Sequence, residues 1–153
     1  MIEHRIEHLF SFNATLGTRH VVGPVGEGIR LNVTITGGEV TGPKIQGKVL
    51  PVGGDWLTVR RDGMAVLDVR ATFETHDGAL IYVVYYGLTD FGEDGYENFL
   101  KGEVSPSPRP LRICPRLSSS HPHYLWVNRT FCFGVGQSFP ERQEVAYDVY
   151  GVS

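Results

Sequence analysis

Polar and apolar residues alternate along most of this 153-residue chain. Successive side chains of a strand point to opposite faces, so a two-residue period marks a strand with one buried side. The alternating runs are interrupted at Gly37-Gly38, Asp62-Gly63 and Asp77-Gly78. These pairs read as type I′ hairpin turns, because Gly adopts positive φ freely and Asp does so better than most residues. The pattern predicts strands at Ile6–Leu16, Ile29–Thr36, Glu39–Leu50, Trp56–Arg61, Met64–Thr75, Ala79–Leu88, Leu111–Leu117, Tyr124–Val135 and Glu144–Val152. Only Glu93–Gly102 has helical spacing, with Tyr96, Phe99 and Leu100 on one side and Gly102 as a stop. The prolines of Ser105-Pro-Ser-Pro-Arg-Pro make an extended connector. Consecutive hairpins of similar length close into a barrel without leaving a long unpaired edge. The expectation is an all-β chain, residues 1–153 forming one antiparallel, lipocalin- or calycin-like β-barrel of about 8–10 strands with one short helix.

In a barrel alternate residues face inward, and Met64–Thr75 splits cleanly. Ala65, Leu67, Val69, Ala71 and Phe73 share one face, while Asp68, Arg70 and Glu74 stand on the other. If the aliphatic face fills the interior, Asp68 and Arg70 are an outer ion pair contributing about 0–1 kcal/mol. If the strand is covered from outside, they point into a polar lumen.

Composition narrows the function. With 41% hydrophobic and 20% charged residues the chain has the make-up of a folded globular protein. The longest apolar run, Ala79–Tyr86, is too short for a membrane helix. Lys+Arg 14 against Asp+Glu 17, without a basic block, argues against nucleic acid as a partner. The acidic start Met1-Ile-Glu-His lacks the form of a secretory signal, so the expected location is cytoplasmic, without a membrane partner. Cys114 and Cys132 sit in apolar strands and read as structural thiols. No metal and no cofactor are expected. Gly23-Pro-Val-Gly-Glu-Gly28 opens a strand where a phosphate loop needs a helix, and His121-Pro-His123 has no third ligand at a regular spacing.

The candidate chemistry lies in strands. Gly53-Gly54 lets the backbone turn sharply and delivers Asp55 and Trp56 at a strand start, where an acid and a ring could orient a ligand or simply close the barrel end. Arg30, Arg70 and Arg112 lie on strands beside apolar neighbours, and an arginine inside a barrel must meet an anion. Tyr124, Trp126 and Asn128 alternate onto one face, as a pocket for a planar ligand or a covered sheet surface requires. Tyr82, Tyr86 and His76 are weaker candidates of the same kind.

The run Gly47-Lys-Val-Leu-Pro-Val-Gly-Gly-Asp-Trp56, then Asp62-Gly63, Leu67-Asp-Val-Arg70, Thr75-His-Asp-Gly-Ala-Leu-Ile-Tyr82, Tyr124-Leu-Trp-Val-Asn128 and Val145-Ala-Tyr-Asp-Val-Tyr150 resembles the uncharacterised microbial proteins grouped as domain of unknown function 3237. The resemblance spans nearly the whole chain and implies a single-domain, lipocalin-like β-barrel without supplying an activity. It places recurrent polar residues at Arg30, Asp55, Asp68, Arg70, Arg112, Tyr124, Trp126 and Asn128. Similar proteins carry an arginine-rich run with Phe-Glu-Thr where this chain reads Pro115-Arg-Leu-Ser-Ser-Ser120-His-Pro, so the acid of that run is missing here.

The resulting expectation is a small-molecule-binding barrel that acts as a cofactor-free cyclase, isomerase or lyase on an oxygenated aromatic or polyketide-like compound. Asp55 or Asp68 would serve as acid or base, Arg30, Arg70 or Arg112 as anion stabiliser, and Trp56, Tyr124, Trp126 and Asn128 as ligand contacts. Two alternatives stand beside it: a non-catalytic carrier using the same lumen, and a packed barrel working as a homo-oligomeric interaction protein.

Overall fold

The computed structural model describes residues 1–153. Ten antiparallel strands form one sheet that closes on itself: β1 (Ile6–Val25), β2 (Gly28–Gly37), β3 (Glu39–Thr41), β4 (Gly47–Val49), β5 (Gly54–Val59), β6 (Met64–Thr75), β7 (Leu80–Asp90), β8 (Arg109–Ser118), β9 (Phe131–Phe139) and β10 (Glu144–Val152). From β6 to β10 each strand pairs with the next, and β10 returns onto the first half of β1. The second half of β1 pairs with β2, β2 with β5, and β5 with β6. The short strands β3 and β4 bridge β1 and β6 at the end that β2 and β5 do not reach.

Several sequence boundaries shift. β1 runs to Val25, past the predicted Leu16, because its later residues pair with β2 after a register shift at Thr15. The predicted strand Glu39–Leu50 is two short pieces separated by Gly42–Gln46. The turns at Asp62-Gly63 and Asp77-Gly78 are not type I′. Gly63 and Gly78 have φ of 86° and 84°, but Gln143 is the one non-glycine residue with positive φ, so both aspartates keep ordinary backbone. Each is a turn closed by a single left-handed glycine, with Gly63 N–H donating to Arg60 O and Gly78 N–H to Thr75 O. The helix α1 (Gly95–Leu100) ends as expected: Gly102 N–H donates to Phe99 O and Glu103 N–H to Asn98 O, satisfying its last carbonyls.

The largest correction concerns Tyr124–Arg129. Residues Pro122–Arg129 form a 3₁₀ helix, and β9 begins only at Phe131. Pro122 occupies the first turn, where its missing N–H costs nothing, and the His121 ring accepts the His123 N–H. Tyr124 and Val127, three residues apart, are the buried pair, and they join the core cluster at one end of the barrel.

The lumen holds two clusters. The larger one is built on an aromatic layer of Phe10, Phe12 and Phe73, with ring centroids 5.2 to 6.3 Å apart. The smaller one, Ile29, Leu31, Val33, Val59 and Ala65, packs at the other end against Phe91 and, from α1, Tyr96 and Phe99. One half of the barrel is therefore filled, and the other retains space.

Candidate functional site

That space is a cavity of about 240 Å³ lined mostly by apolar residues, including Leu31, Val33, Leu67, Val69 and Leu111. Its floor is polar. Asp55 of β5, Tyr85 of β7 and Tyr147 of β10 line it together, and Tyr85 and Tyr147 lie 5.7 Å apart edge to face on the Phe12 ring. Towards α1 it is lined by Thr89, Phe91, Phe99, Val104 and Arg109.

Local sequence explains how Asp55 arrives there. A Cβ on Gly53 would lie 2.1 Å from Arg70 O, and one on Gly54 would lie 2.6 Å from Val33 O. The glycine pair therefore lets β5 enter tightly between β2 and β6. Strand alternation then turns Asp55 and Leu57 into the lumen and Trp56 out of it. The β5–β6 ladder is interrupted between Asp55–Val69 and Thr58–Val66. The Asp68 N–H freed there donates to Asp55 Oδ1 at 3.0 Å, while Oδ2 has no hydrogen bond within the protein.

Burial dominates the electrostatics of this floor. It raises the Asp55 carboxyl from 3.8 to about 7, against the opposing Asp68 N–H bond and with a further push from the Asp68 charge. Burial, and then the nearby Asp55 charge, lift the Tyr85 phenol well above its ordinary value. Burial, followed by Tyr85 and Asp55, does the same to Tyr147. Both phenols are thus neutral hydrogen-bond donors at any physiological pH. Three buried side-chain polar atoms have no partner. Tyr147 Oη and Thr89 Oγ1 both belong to lumen-lining residues, and Asn32 Oδ1 belongs to a residue of the outer side of β2. An unsatisfied buried hydroxyl costs about 1–3 kcal/mol unless a ligand or water supplies its partner.

The other sequence candidates lie elsewhere. Ala65, Leu67, Val69, Ala71 and Phe73 are buried and face inward, so Asp68 and Arg70 occupy the outer face, where they pair with each other. Their placement in a polar lumen is corrected on that ground. Arg30 stands between the inward Ile29 and Leu31 and so faces outward, and Arg112 is exposed between the buried Leu111 and Ile113. Trp56 is 41% exposed on the outside. Tyr124, Trp126 and Asn128 do not share a strand face. Tyr124 donates to Asp77 Oδ1 at 2.8 Å, Trp126 packs on the core from the 3₁₀ helix, and Asn128 brackets Ser119 by two backbone hydrogen bonds. Thr75, Tyr124 and His123 hold the Asp77 carboxyl well below the usual range, so this group ties the 3₁₀ helix to the β6–β7 turn. Tyr82 and Tyr86, like Leu80 and Leu88, are exposed on the outer side of β7. Of the candidate site residues named from sequence, the structure brings Asp55 alone to the cavity, beside Tyr85, Tyr147, Thr89 and Arg109, which sequence reasoning missed.

A single closed antiparallel sheet with an internal cavity and a half-buried acid on its floor defines a β-barrel with a ligand-sized interior. The chain belongs to the family described as Protein of unknown function (DUF3237), which it matches over residues 4–152. It is 33% identical to the UPF0311 protein RPA1785 of Rhodopseudomonas palustris over 147 residues, 95% of each chain. The crystal structure of that conserved protein of unknown function superposes with a TM-score of 0.87 at 29% identity, covering 100% of both chains. A β-barrel-like protein of Acinetobacter baumannii gives 0.84 at 28% identity, covering 100% of this chain and 98% of the other. The hydroalkoxylation enzyme phnH of Penicillium herquei is 37% identical over 79 residues, 51% of this chain and 52% of its own. No helix is long and apolar enough to cross a membrane.

Proposed function

We propose that the barrel binds a compact, mostly apolar molecule in its open half and that Asp55 moves a proton on it. The observation that carries this reading is the floor of the cavity, where a carboxyl poised at about pH 7 adjoins two neutral phenols, one of them without a partner. A group titrating near the working pH serves as acid and as base. Buried donors that cannot ionise stabilise an oxygen on which negative charge develops, as at an enol or enolate. The reaction class is a cofactor-free isomerisation, cyclisation or elimination on an oxygenated ring compound. The similarity to a protein named a hydroalkoxylation enzyme supports it, because adding an O–H across a double bond is itself a proton-transfer reaction.

Size narrows the ligand. A cavity of roughly 150 Å³ holds benzene, and pockets for drug-sized molecules begin near 300 Å³. The interior here, about 240 Å³, suits one or two rings. The test is a thermal-shift screen of phenols, aromatic acids, lactones and cyclic ketones, with mass and chromatographic analysis of each hit after incubation. Ligand at ~100 times Kd adds about 2.7 kcal/mol to apparent stability, which is readily measured. A hit converted by the wild type and bound but unconverted by Asp55→Asn is the expected result. Hits that are never converted would make the protein a carrier, and the absence of any hit would overturn the lumen reading.

A further inference from the structure

Arg109 is the first inward-facing residue of β8, on the same side of the strand as the buried Leu111 and Ile113. It lines the cavity at the α1 end, where its guanidinium lies 4.6 Å from the centre of the Phe91 ring. Burial pulls it below the ordinary arginine value without discharging it. It has no acidic partner, since none of the ion pairs in the protein includes it. Its one side-chain hydrogen bond runs from Nη2 to Ser105 O at 2.5 Å. Of the two acids that line the same cavity, Asp55 lies on its floor and Glu144 lies 3.8 Å from Arg142. Arg19, also on the cavity wall, is exposed to water. Arg109 is thus the one partly buried cation facing the lumen, and most of its five N–H donors are unused.

An arginine partly withdrawn from water at the cavity wall, with no counter-charge on the protein, is placed to pair with an anion that enters the cavity. Phe91 holds the guanidinium over its ring, and the planar fork of an arginine matches the two oxygens of a carboxylate. The far end of the cavity makes the opposite demand. There Tyr147 Oη lacks a partner and Asp55 is half protonated near neutrality, which suits a neutral carbonyl or hydroxyl.

We infer that the natural ligand is a polarised one: a ring compound bearing an ionised carboxylate held by Arg109 and a neutral oxygen function reaching the Asp55–Tyr147 floor. This inference rests on the lumen-binding reading and adds the substrate class, an organic acid.

The test uses matched pairs that differ only at the acid, 6-hydroxy-2-naphthoic acid against its carboxamide and 4-hydroxycinnamic acid against its carboxamide. Binding is measured by calorimetry near pH 6, where the probe acids are ionised and most of Asp55 is protonated. The wild type should bind at least one acid about tenfold or more tighter than its amide, with the advantage shrinking as salt is added. Arg109→Gln should bring the ratio close to one by weakening the acid far more than the amide, Arg109→Lys should keep part of the preference, and the outer-face control Arg112→Gln should keep all of it. Amides that bind as well as the acids, or a preference that survives Arg109→Gln, would overturn the inference while leaving lumen binding intact. If no probe of either kind binds, the lumen reading falls and this inference with it. A purely structural Arg109 would lower the melting temperature on substitution and leave the acid-to-amide ratio unmoved.

Discussion

At the scale of single residues the centre of the protein is one carboxyl held out of its normal range. Asp55 sits at the edge of a broken ladder, bonded to the Asp68 N–H through one oxygen only, and its proton is held to about pH 7. That value has a consequence for stability whose sign is fixed. The folded state binds the proton more tightly than the unfolded state, so stability falls as pH rises from about 4 to about 7 and stays lowered above that. A shift from 3.8 to about 7 corresponds to about 4 kcal/mol. Asp55→Asn keeps an oxygen for the Asp68 N–H and removes the ionisation. Urea denaturation should find the variant close to wild type below pH 4 and more stable by several kcal/mol at pH 8, with any turnover lost. A stability gap that does not change with pH would show that Asp55 is not desolvated. Asp55 was legible in the sequence because Gly53-Gly54-Asp55 marks a forced strand entry. Its partners were not. β7 is apolar on both sides, with Ile81, Val83 and Tyr85 inward and Leu80, Tyr82 and Tyr86 outward, so no polar alternation reveals the phase that puts Tyr85 inside. The two faces of β6, by contrast, are separated by its polarity, although which of them turns inward was left open by the sequence.

Among the elements, what the sequence conceals is where local turn chemistry overrides apparent alternation. Tyr124, Trp126 and Asn128 imitate a strand face, yet Pro122 and the His121 ring start a helix there, and the buried pair Tyr124 and Val127 follows its three-residue period. The arm carrying α1 was legible because Gly102 ends it. Its other end is set by a contact no pattern announces. Gly63, in the β5–β6 turn, accepts the Phe91 N–H at 3.0 Å, and a Cβ on it would fall 1.7 Å from Gly92 O. Gly78, in the equivalent β6–β7 turn, has nearly the same φ, 84° against 86°, and nothing within 4 Å of its Cβ position. The two glycines therefore separate backbone strain from crowding. Gly78→Ala should cost about 1 kcal/mol, the left-handed penalty alone. Gly63→Ala adds overpacking against the root of the α1 arm and should cost about 3 kcal/mol, read as a lower urea midpoint at unchanged m-value. Equal losses would mean that the arm yields freely and is not anchored on this turn.

For the molecule as a whole the barrel is a container half closed by its own core. The aromatic layer of Phe10, Phe12 and Phe73, with the 3₁₀ helix beyond it, fills one half, and the other keeps the cavity from Asp55, Tyr85 and Tyr147 up to α1. Alternation and turns disclosed that a barrel forms. They carried no record of how far its interior is filled, because that depends on which side chains meet across the lumen from strands distant in sequence. Added volume can measure it. Ala14 and Ala71 are both buried and inward-facing, 2% and 4% exposed, but Ala14 lines the cavity and Ala71 does not. Three extra carbons at Ala71 have no space to enter and must displace packed neighbours, so Ala71→Leu should destabilise by about 1–3 kcal/mol. At Ala14 they extend into the void and bury apolar surface there, so Ala14→Leu should hold stability within about 1 kcal/mol of wild type while weakening every ligand that the wild-type cavity accepts. If instead Ala14→Leu costs as much as Ala71→Leu, the lumen is already packed at that level and has no room for a ring. If its stability is kept and ligand affinity is unchanged, the ligands bind elsewhere on the barrel.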